Sequence, residues 1–222
     1  MIVGERKPVQ ELWEMVSPHR KVLVVGCGGC VTVCNSGGRK EAGVIASALR
    51  LAAQRAGQEM EIDEDNLERQ CDPEFLEELR PIIEDYDAVL SLACGAGVQF
   101  VAERYQEMTV YPGLNTTFIG VALGNGEWSE RCAACGDCML GLTGGICPIA
   151  RCAKRLFNGP CGGSSQGKCE IGSETDCAWQ LVFDKLMALG RLDRLEHFIP
   201  PKDWTTNKDG GPRKYRREDL AI

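Results

Sequence analysis

Apolar runs and amphipathic segments alternate along the first half of the chain. The apolar runs are typical of strands, and four strands are expected, at 21–26, 59–63, 87–94 and 116–123. The segments between them have helical periodicity, with helices expected at 38–56, 73–86 and 98–106. Strands that alternate with helices predict a parallel sheet with helices on both faces.

The second half has a different pattern. Between 131 and 169 glycine is frequent and regular periodicity is scarce, so this segment cannot bury a normal core and is expected to need metal to fold. A single helix is expected at 174–197, followed by a polar tail. The turn-rich stretch GNGEWSE (124–130) marks the change of pattern.

The predicted fold class is therefore α/β. A domain at 1–126 is expected to have an open parallel sheet of about four strands, flavodoxin-like or Rossmann-like. One metal cluster is expected at the carboxyl edge of this sheet. A small cysteine-rich domain held by metal clusters follows at 127–197 and ends in the C-terminal helix. Residues 198–222 are expected to form an extended arm that docks on a partner, with a loose tail as the alternative.

Charge and hydropathy narrow the class of protein. The 222 residues carry a net charge of −7, and the basic residues form no long stripe, which argues against a nucleic-acid-binding protein. The stretch MIVGERKPVQ is charged where a signal peptide is apolar, and no apolar run is long enough to cross a membrane. The sequence therefore predicts a cytoplasmic protein without membrane insertion.

Thirteen cysteines are the strongest chemical signal in the chain. Cytoplasmic thiols stay reduced, so dense cysteine clusters indicate metal binding more than disulfides. Histidine occurs only at 19 and 197, so the ligand set is nearly all thiolate, which favours iron–sulfur clusters or zinc. The expected metal ligands are Cys27, Cys30, Cys34, Cys71, Cys94, Cys132, Cys135, Cys138, Cys147, Cys152, Cys161, Cys169 and Cys177.

The first cysteine group follows the predicted strands. Cys27 comes directly after the first strand, Cys30 and Cys34 lie in the next loop, and Cys94 ends the third strand. Sites in open α/β sheets form beyond the carboxyl ends of the strands, so these residues are expected to hold one cluster. Cys71 is able to replace one of them. The alternative is that some are buried core thiols, Cys71 or Cys94 first among them.

The second group begins with Cys132-x2-Cys135-x2-Cys138, a spacing found in bacterial ferredoxins. The Cys147–Pro148 pair lies farther away than in a ferredoxin, with eight residues between it and Cys138. The cysteines from Cys132 to Cys177 suffice for two four-iron clusters, or for one cluster and one tetrahedral zinc site. Zinc alone and unligated thiols are the alternatives.

Two glycine-rich stretches look like nucleotide-binding motifs but depart from them. GCGGCV (26–31) lacks the third glycine of a dinucleotide fingerprint, and GGSSQGKC (162–169) has cysteine where a phosphate loop has Ser or Thr. No Ser–His–acid or Cys–His set is apparent. The chain thus has residues suited to holding electrons and none that indicate catalysis.

Longer motifs resemble those of a known family. The segment CGDCMLGLTGGICPIARCAKRLFNGPCGGSSQGKCEI (135–171) is similar to the cysteine-rich region of the MetV family, the small iron–sulfur subunit of acetogen-type methylenetetrahydrofolate reductase. Related segments occur as a C-terminal region fused to some reductases. The first half resembles the family through VVGCGGCVTVCNSGGRKEAGVIASALR, LERQCDPEF, LSLACGAGVQF and YPGLNTTFIG, so the resemblance covers nearly the whole chain.

The resemblance implies a non-catalytic electron-transfer subunit of one-carbon metabolism, in the Wood–Ljungdahl pathway. Its partner would be a flavin-containing catalytic subunit, a MetF-type barrel that reduces methylenetetrahydrofolate to methyltetrahydrofolate. Further electron-donor subunits of heterodisulfide-reductase or Rnf type would dock on the complex. The chain itself is expected to carry two to three [4Fe–4S] clusters, with zinc at one cysteine site as an alternative, and no flavin.

Two other functions are compatible with the sequence. A zinc-held structural adaptor would join the reductase to its electron-donor subunits, although thirteen cysteines exceed what one zinc ion needs. A self-sufficient redox enzyme would need a substrate-binding motif, and none is apparent.

Overall fold

The structure, a computed structural model, describes residues 1–217 and 219. The chain divides into two compact units, Met1–Ser129 and Glu130 onward. The sequence pattern places this boundary slightly earlier, between 126 and 127.

The first unit alternates strands and helices. The strands are β1 (Ile2–Arg6), β2 (Lys21–Cys27), β3 (Glu61–Leu67), β4 (Ala88–Ser91), β5 (Thr109–Pro112), β6 (Leu114–Gly124) and β7 (Glu127–Cys132). The helices are α1 (Val9–Val16), α2 (Cys30–Val33), α3 (Arg39–Ala56), α4 (Pro73–Leu76) and α5 (Gly95–Arg104). The end of β7, from residue 130, already belongs to the second unit.

A parallel sheet of order β3-β2-β4-β5 forms the centre of the first unit. Strand β2 lies inside it, with Val24 opposite Glu64 of β3 and Leu90 of β4. Val24 packs into one apolar core and its neighbour Val25 into a second core on the opposite face. Helices α1 and α3 contribute to the first core and α4 and α5 to the second, so the predicted α/β sheet with helices on both faces is confirmed.

The prediction that 116–123 forms the fourth parallel strand is wrong. This segment lies in β6, which pairs antiparallel with β1 in a separate sheet of order β1-β6-β7. The fourth parallel strand is β5, which pairs with β4. Only Gly113 separates β5 from β6, whereas a parallel connection needs a crossover of about a dozen residues or more. One residue is too short for such a crossover, so β6 cannot pair in parallel next to β5 and joins another sheet.

The helix predicted at 73–86 is also much shorter in the structure. It begins with the Asp72 side chain accepting a 3.2 Å hydrogen bond from the Glu74 amide, and it ends at Leu76. Short 3-10 turns replace the rest. Pro81 explains the break, because proline has no N–H and its ring clashes with the preceding helical turn.

The second unit has few regular elements and a small core of its own. Its elements are α6 (Pro148–Arg151), β8 (Ser164–Ser165), β9 (Lys168–Cys169), β10 (Gly172–Asp176) and α7 (Ala178–Ala188). The three strands form an antiparallel sheet of order β10-β9-β8. Trp179, Val182 and Leu186 of α7 are buried together with Cys177. Apolar packing around α7 therefore contributes to the stability of this unit.

The single helix predicted at 174–197 is wrong at both ends. Its first residues belong to β10, and α7 stops at Ala188. Gly190 has a φ of 64°, and the Arg191 amide donates to the Leu186 carbonyl at 2.9 Å, which is a Schellman-type helix end. Apolar residues continue beyond Gly190, so the hydrophobic pattern does not reveal this end.

Candidate metal centre

The order of the parallel sheet creates a switch point between β2 and β4. The chain leaves β2 toward β3 on one side and leaves β4 toward β5 on the other. Open α/β sheets bind ligands in the crevice at the carboxyl ends of such a strand pair. Cys27 is the last residue of β2, and Cys94 precedes α5 just beyond β4. Two predicted ligands therefore start from the strands that flank this crevice.

The loop after β2 runs close to the end of β3. The Gly28 amide donates to the Leu67 carbonyl at 2.8 Å, and a Cβ at residue 28 would lie 3.3 Å from the Glu68 carbonyl oxygen, a tight contact. The glycine thus allows the approach. Cys30 opens the single-turn helix α2 in this loop, and Cys71 follows shortly after Leu67. Both thiols are thereby brought to the edge where β2 ends.

A buried glutamine joins these segments. Gln70 is fully buried, and its side-chain amide donates to the carbonyls of Val25 and Gly26, both at 2.9 Å. Its Oε1 accepts a 2.6 Å hydrogen bond from the Ser91 hydroxyl. The side chain therefore ties the end of β2 and the end of β4 to the segment that carries Cys71.

Four thiols share one electrostatic environment at this edge. Burial raises the pKa of the Cys71 thiol, and the negative charges of Cys94, Cys27 and Cys30 raise that pKa further. Such an effect requires nearby charges, because screening weakens it beyond roughly 10 Å. Cys94, Cys27 and Cys30 are therefore close enough to Cys71 to affect its pKa.

Cys34 has the contacts of a core thiol. It is buried, and its sulfur lies 3.0 Å from the Ser36 hydroxyl. The same sulfur lies 3.6 Å from the Val31 carbonyl oxygen and 3.7 Å from that of Gly4. A thiol with these partners is satisfied without a metal. The sequence spacing Cys-x2-Cys-x3-Cys does not distinguish it from its neighbours.

Three thiols of the second unit have backbone hydrogen-bond partners, two as acceptors and one as a donor. Cys132 accepts a hydrogen bond from the Ala134 amide at 3.3 Å, and Cys161 accepts one from the Gly163 amide at 3.4 Å. The Cys135 sulfur lies 3.4 Å from the Asp137 carbonyl oxygen. Amide groups directed at sulfur stabilise thiolates and tune the potential of iron–sulfur clusters.

A lysine lies beside one of these thiols. The Lys154 ammonium group is 3.7 Å from the Cys161 sulfur and also pairs with the Glu170 carboxylate. The Glu170 hydrogen bond is the main cause that raises the pKa of Lys154, and the charge of Cys161 adds to it. The second unit thus places a positive charge beside one of its candidate ligands.

The other thiols of the second unit occupy different environments. Cys152 packs against the apolar cluster that includes buried Cys177. Cys147 precedes α6, and Cys169 lies in β9. The structure therefore places Cys152 and Cys177 near one core.

The candidate ligands suit a metal by donor type. Within residues 1–217 and 219, no three or more His, Cys, Asp or Glu side chains are already arranged to hold a metal ion. Every cysteine is a free thiol. Four thiols with little histidine nearby are a donor set for iron–sulfur clusters or zinc. Ligation at the sheet edge would draw Cys27, Cys30, Cys71 and Cys94 closer together.

The stretch 162–169 is a hairpin. Gln166 and Gly167 both have positive φ, 50° and 80°, and connect β8 to β9. Two central residues with positive φ are what a tight hairpin turn requires. Lys168 pairs with the Asp176 carboxylate at 2.7 Å. Gly167 and Lys168, which match the Gly-Lys pair of a phosphate loop, therefore have structural roles in a turn and in an ion pair.

Two polar residues that support the thiols were not expected from the sequence. Gln70 is one, and Lys154 is another. Neither belongs to a hydrophobic period or a ligand spacing, so only the folded chain reveals its partners. For Gln70 one weak signal exists, because it directly precedes the candidate ligand Cys71.

Comparison with known proteins gives a match to part of the chain. Residues 111–205 match the family described as "Methylene-tetrahydrofolate reductase C terminal". No curated protein matches the chain, and no solved structure does. No helix among the described residues combines the length and the apolar character that crossing a membrane requires. Over residues 111–205 the chain is therefore similar to the C-terminal region of methylenetetrahydrofolate reductases.

Proposed function

We propose that this chain is an iron–sulfur electron-transfer subunit of a methylenetetrahydrofolate reductase complex. The observation that carries the proposal is the convergence of Cys27, Cys30, Cys71 and Cys94 at the switch point of the sheet. The match of residues 111–205 supports an association with methylenetetrahydrofolate reductase.

The first centre would be held by these four thiols, with Cys71 in the place that the sequence spacing assigns to Cys34. Thiolates gathered at one edge of the sheet repel one another, and the charges of Cys94, Cys27 and Cys30 raise the pKa of Cys71. A cation removes that repulsion when the thiols lose their protons. A bound iron–sulfur cluster would supply one-electron chemistry.

The chain's own residues would prepare this site. Gly28 allows the loop of Cys27 and Cys30 to approach the end of β3. Gln70 fixes the backbone before Cys71. Second-sphere hydrogen bonds of this kind orient the first-sphere ligands of metal sites.

One or two further centres would be held by the thiols from Cys132 to Cys177. Cys132 and Cys161 already accept amide hydrogen bonds. Two to three [4Fe–4S] clusters in total are proposed, with zinc at one cysteine site as the alternative. The electron acceptor would be the flavin of a MetF-type catalytic subunit, and the donors would be heterodisulfide-reductase-type or Rnf-type subunits.

The first test is the metal content of the full chain after anaerobic purification. We expect about eight to twelve iron atoms per chain with equal acid-labile sulfide, four per cluster. Zinc without sulfide would instead indicate a zinc-held adaptor, and a chain without either metal would overturn the proposal.

The second test is electron transfer. The chemically reduced chain is mixed with a flavin-containing methylenetetrahydrofolate reductase catalytic subunit, and flavin bleaching is followed by absorbance. We expect bleaching with the iron-loaded chain and none with the metal-free chain. Equal bleaching by both would contradict the electron-transfer role.

A further inference from the structure

The C-terminal segment lies against the cysteine run of its own unit. The Asn158 side chain exchanges two hydrogen bonds with the backbone of Ile199, at 2.7 and 2.8 Å. Farther along, the Thr206 hydroxyl donates to the Cys135 carbonyl at 2.9 Å. Phe157 and Trp204 make an edge-to-face ring contact, with centroids 6.1 Å apart. Residues 199–206 thus form a strap over the turn that contains Cys135.

One lysine of this strap is buried. The Lys202 side chain is only 3% exposed, although lysine is among the residues least often buried. Its ammonium group lies 3.0 Å from the Asp137 carbonyl oxygen and 3.1 Å from the Asp137 carboxylate. That carboxylate side chain is 71% exposed, so the ion pair is weak and the backbone contact is the better shielded of the two.

The same carbonyl oxygen is shared with a thiol. The Cys135 sulfur lies 3.4 Å from the Asp137 carbonyl oxygen and donates to it as a thiol. Asp137 lies between Cys135 and Cys138 in the sequence, so a group that fixes the Asp137 carbonyl also fixes the backbone turn that joins two candidate ligands. Lys202 donates to that oxygen from a buried position and therefore holds this turn in place.

We propose that Lys202 is a positioning residue for the run Cys132, Cys135 and Cys138: it holds the Asp137 carbonyl and places a buried positive charge beside a metal centre at these thiols. This inference rests on the proposed function, because it concerns a centre at these thiols. A buried cation beside such a centre also raises its reduction potential, since it favours the more negative reduced form.

The test compares full-length variants purified anaerobically. Lys202→Met removes the charge and the donor, and Lys202→Gln removes the charge but keeps a donor. We expect Lys202→Met to lose the iron of one cluster, about four atoms per chain. Lys202→Gln is expected to keep its iron but to show a lower potential for one centre in a redox titration followed by electron paramagnetic resonance, with the other centres unchanged.

Two controls separate this role from a general effect. Lys208→Met removes an exposed lysine from the same arm, and we expect wild-type iron content and potentials. Asp137→Asn removes only the exposed carboxylate and keeps the carbonyl, so its iron content is expected to stay at the wild-type level. Circular dichroism of each variant checks folding, and Lys202→Gln provides the readout where Lys202→Met is poorly folded.

The outcomes separate the two proposals. Wild-type iron content and potentials in both Lys202 variants would overturn the role of Lys202 and leave the proposed function intact. A wild-type chain that contains no metal would overturn both. Loss of iron in Lys208→Met to the same extent as in Lys202→Met would also overturn the specific role of Lys202.

Discussion

The Ser91 hydroxyl donates a 2.6 Å hydrogen bond to Oε1 of Gln70, and both side chains are fully buried. Ser91 is the last residue of β4, and Gln70 lies beyond the end of β3. The bond therefore links two strand ends that are separated in the sheet by β2. Because Gln70 also donates to the Val25 and Gly26 carbonyls near the end of β2, one side chain connects the ends of three strands at the edge that carries the thiols.

Gln70→Leu is expected to destabilise the first unit. Leucine fills a similar volume but leaves the Ser91 hydroxyl and the Gly26 carbonyl without this partner, and each buried unsatisfied group costs about 1–3 kcal/mol. Urea denaturation followed by circular dichroism measures the loss. Gln106→Leu, at an exposed position, is the control and should change stability by less than about 0.5 kcal/mol. Equal stability of the two variants would contradict the prediction.

Cys71→Ser and Cys34→Ala are expected to affect the metal content differently. Loss of a ligand at Cys71 should remove the iron of one cluster, about four atoms per chain. Cys34→Ala should keep that iron and instead lower stability by about 1–2 kcal/mol, because it deletes a buried, hydrogen-bonded side chain. Iron and sulfide analysis of the two variants shows which of the two cysteines is a ligand. If Cys34→Ala loses the cluster and Cys71→Ser retains it, the spacing-based ligand set is the right one.

Gly159→Ala is expected to disrupt the core of the second unit. A Cβ at residue 159 would lie 2.3 Å from the Trp179 ring, and that ring is held by a 3.1 Å hydrogen bond from Nε1 to the Leu156 carbonyl. Overpacking of this kind costs about 1–3 kcal/mol. Thermal unfolding followed by tryptophan fluorescence measures the effect.

Gly141→Ala is the matched control, because no atom lies within 4 Å of the Cβ it would add. The two variants should therefore differ in midpoint temperature. Equal midpoint temperatures of the Gly159→Ala and Gly141→Ala variants would contradict the prediction, because they would mean that the Trp179 ring moves aside without loss of stability.

Tyr86 is expected to ionise late in an alkaline titration. Burial, followed by the 3.0 Å hydrogen bond from its hydroxyl to Asp63, raises the pKa of Tyr86 to about 12. Because the neutral form is favoured in the folded chain, this contribution to stability is complete below about pH 10, the ordinary tyrosine pKa. It is lost as the pH rises through about 12.

Absorbance of the tyrosinate ion measures this step. Tyr86→Phe should remove the late transition, and Asp63→Asn should move it to lower pH because the carboxylate charge is gone. A late transition of full amplitude in Tyr86→Phe would assign it to another tyrosine.

The strand and helix pattern of the first unit is largely contained in local sequence. The run at 21–26 is apolar on both faces because β2 is covered on both sides, and the helix at 38–56 ends at Gly57, which has the left-handed conformation of a helix end. The cysteine spacing likewise indicates metal-binding chemistry, since ligand type is a property of single residues. These features need no knowledge of distant contacts.

Other features are decided only when the chain folds. The sheet that β6 joins depends on the single-residue link at Gly113. Whether Cys71 or Cys34 is the fourth candidate ligand depends on which loop reaches the edge of the parallel sheet. The roles of Gln70 and Lys202 arise from burial and from hydrogen bonds across 44 and 65 residues of sequence. Sequence patterns record periodicity and spacing, whereas a buried polar contact depends on which distant backbone groups the fold leaves to be satisfied.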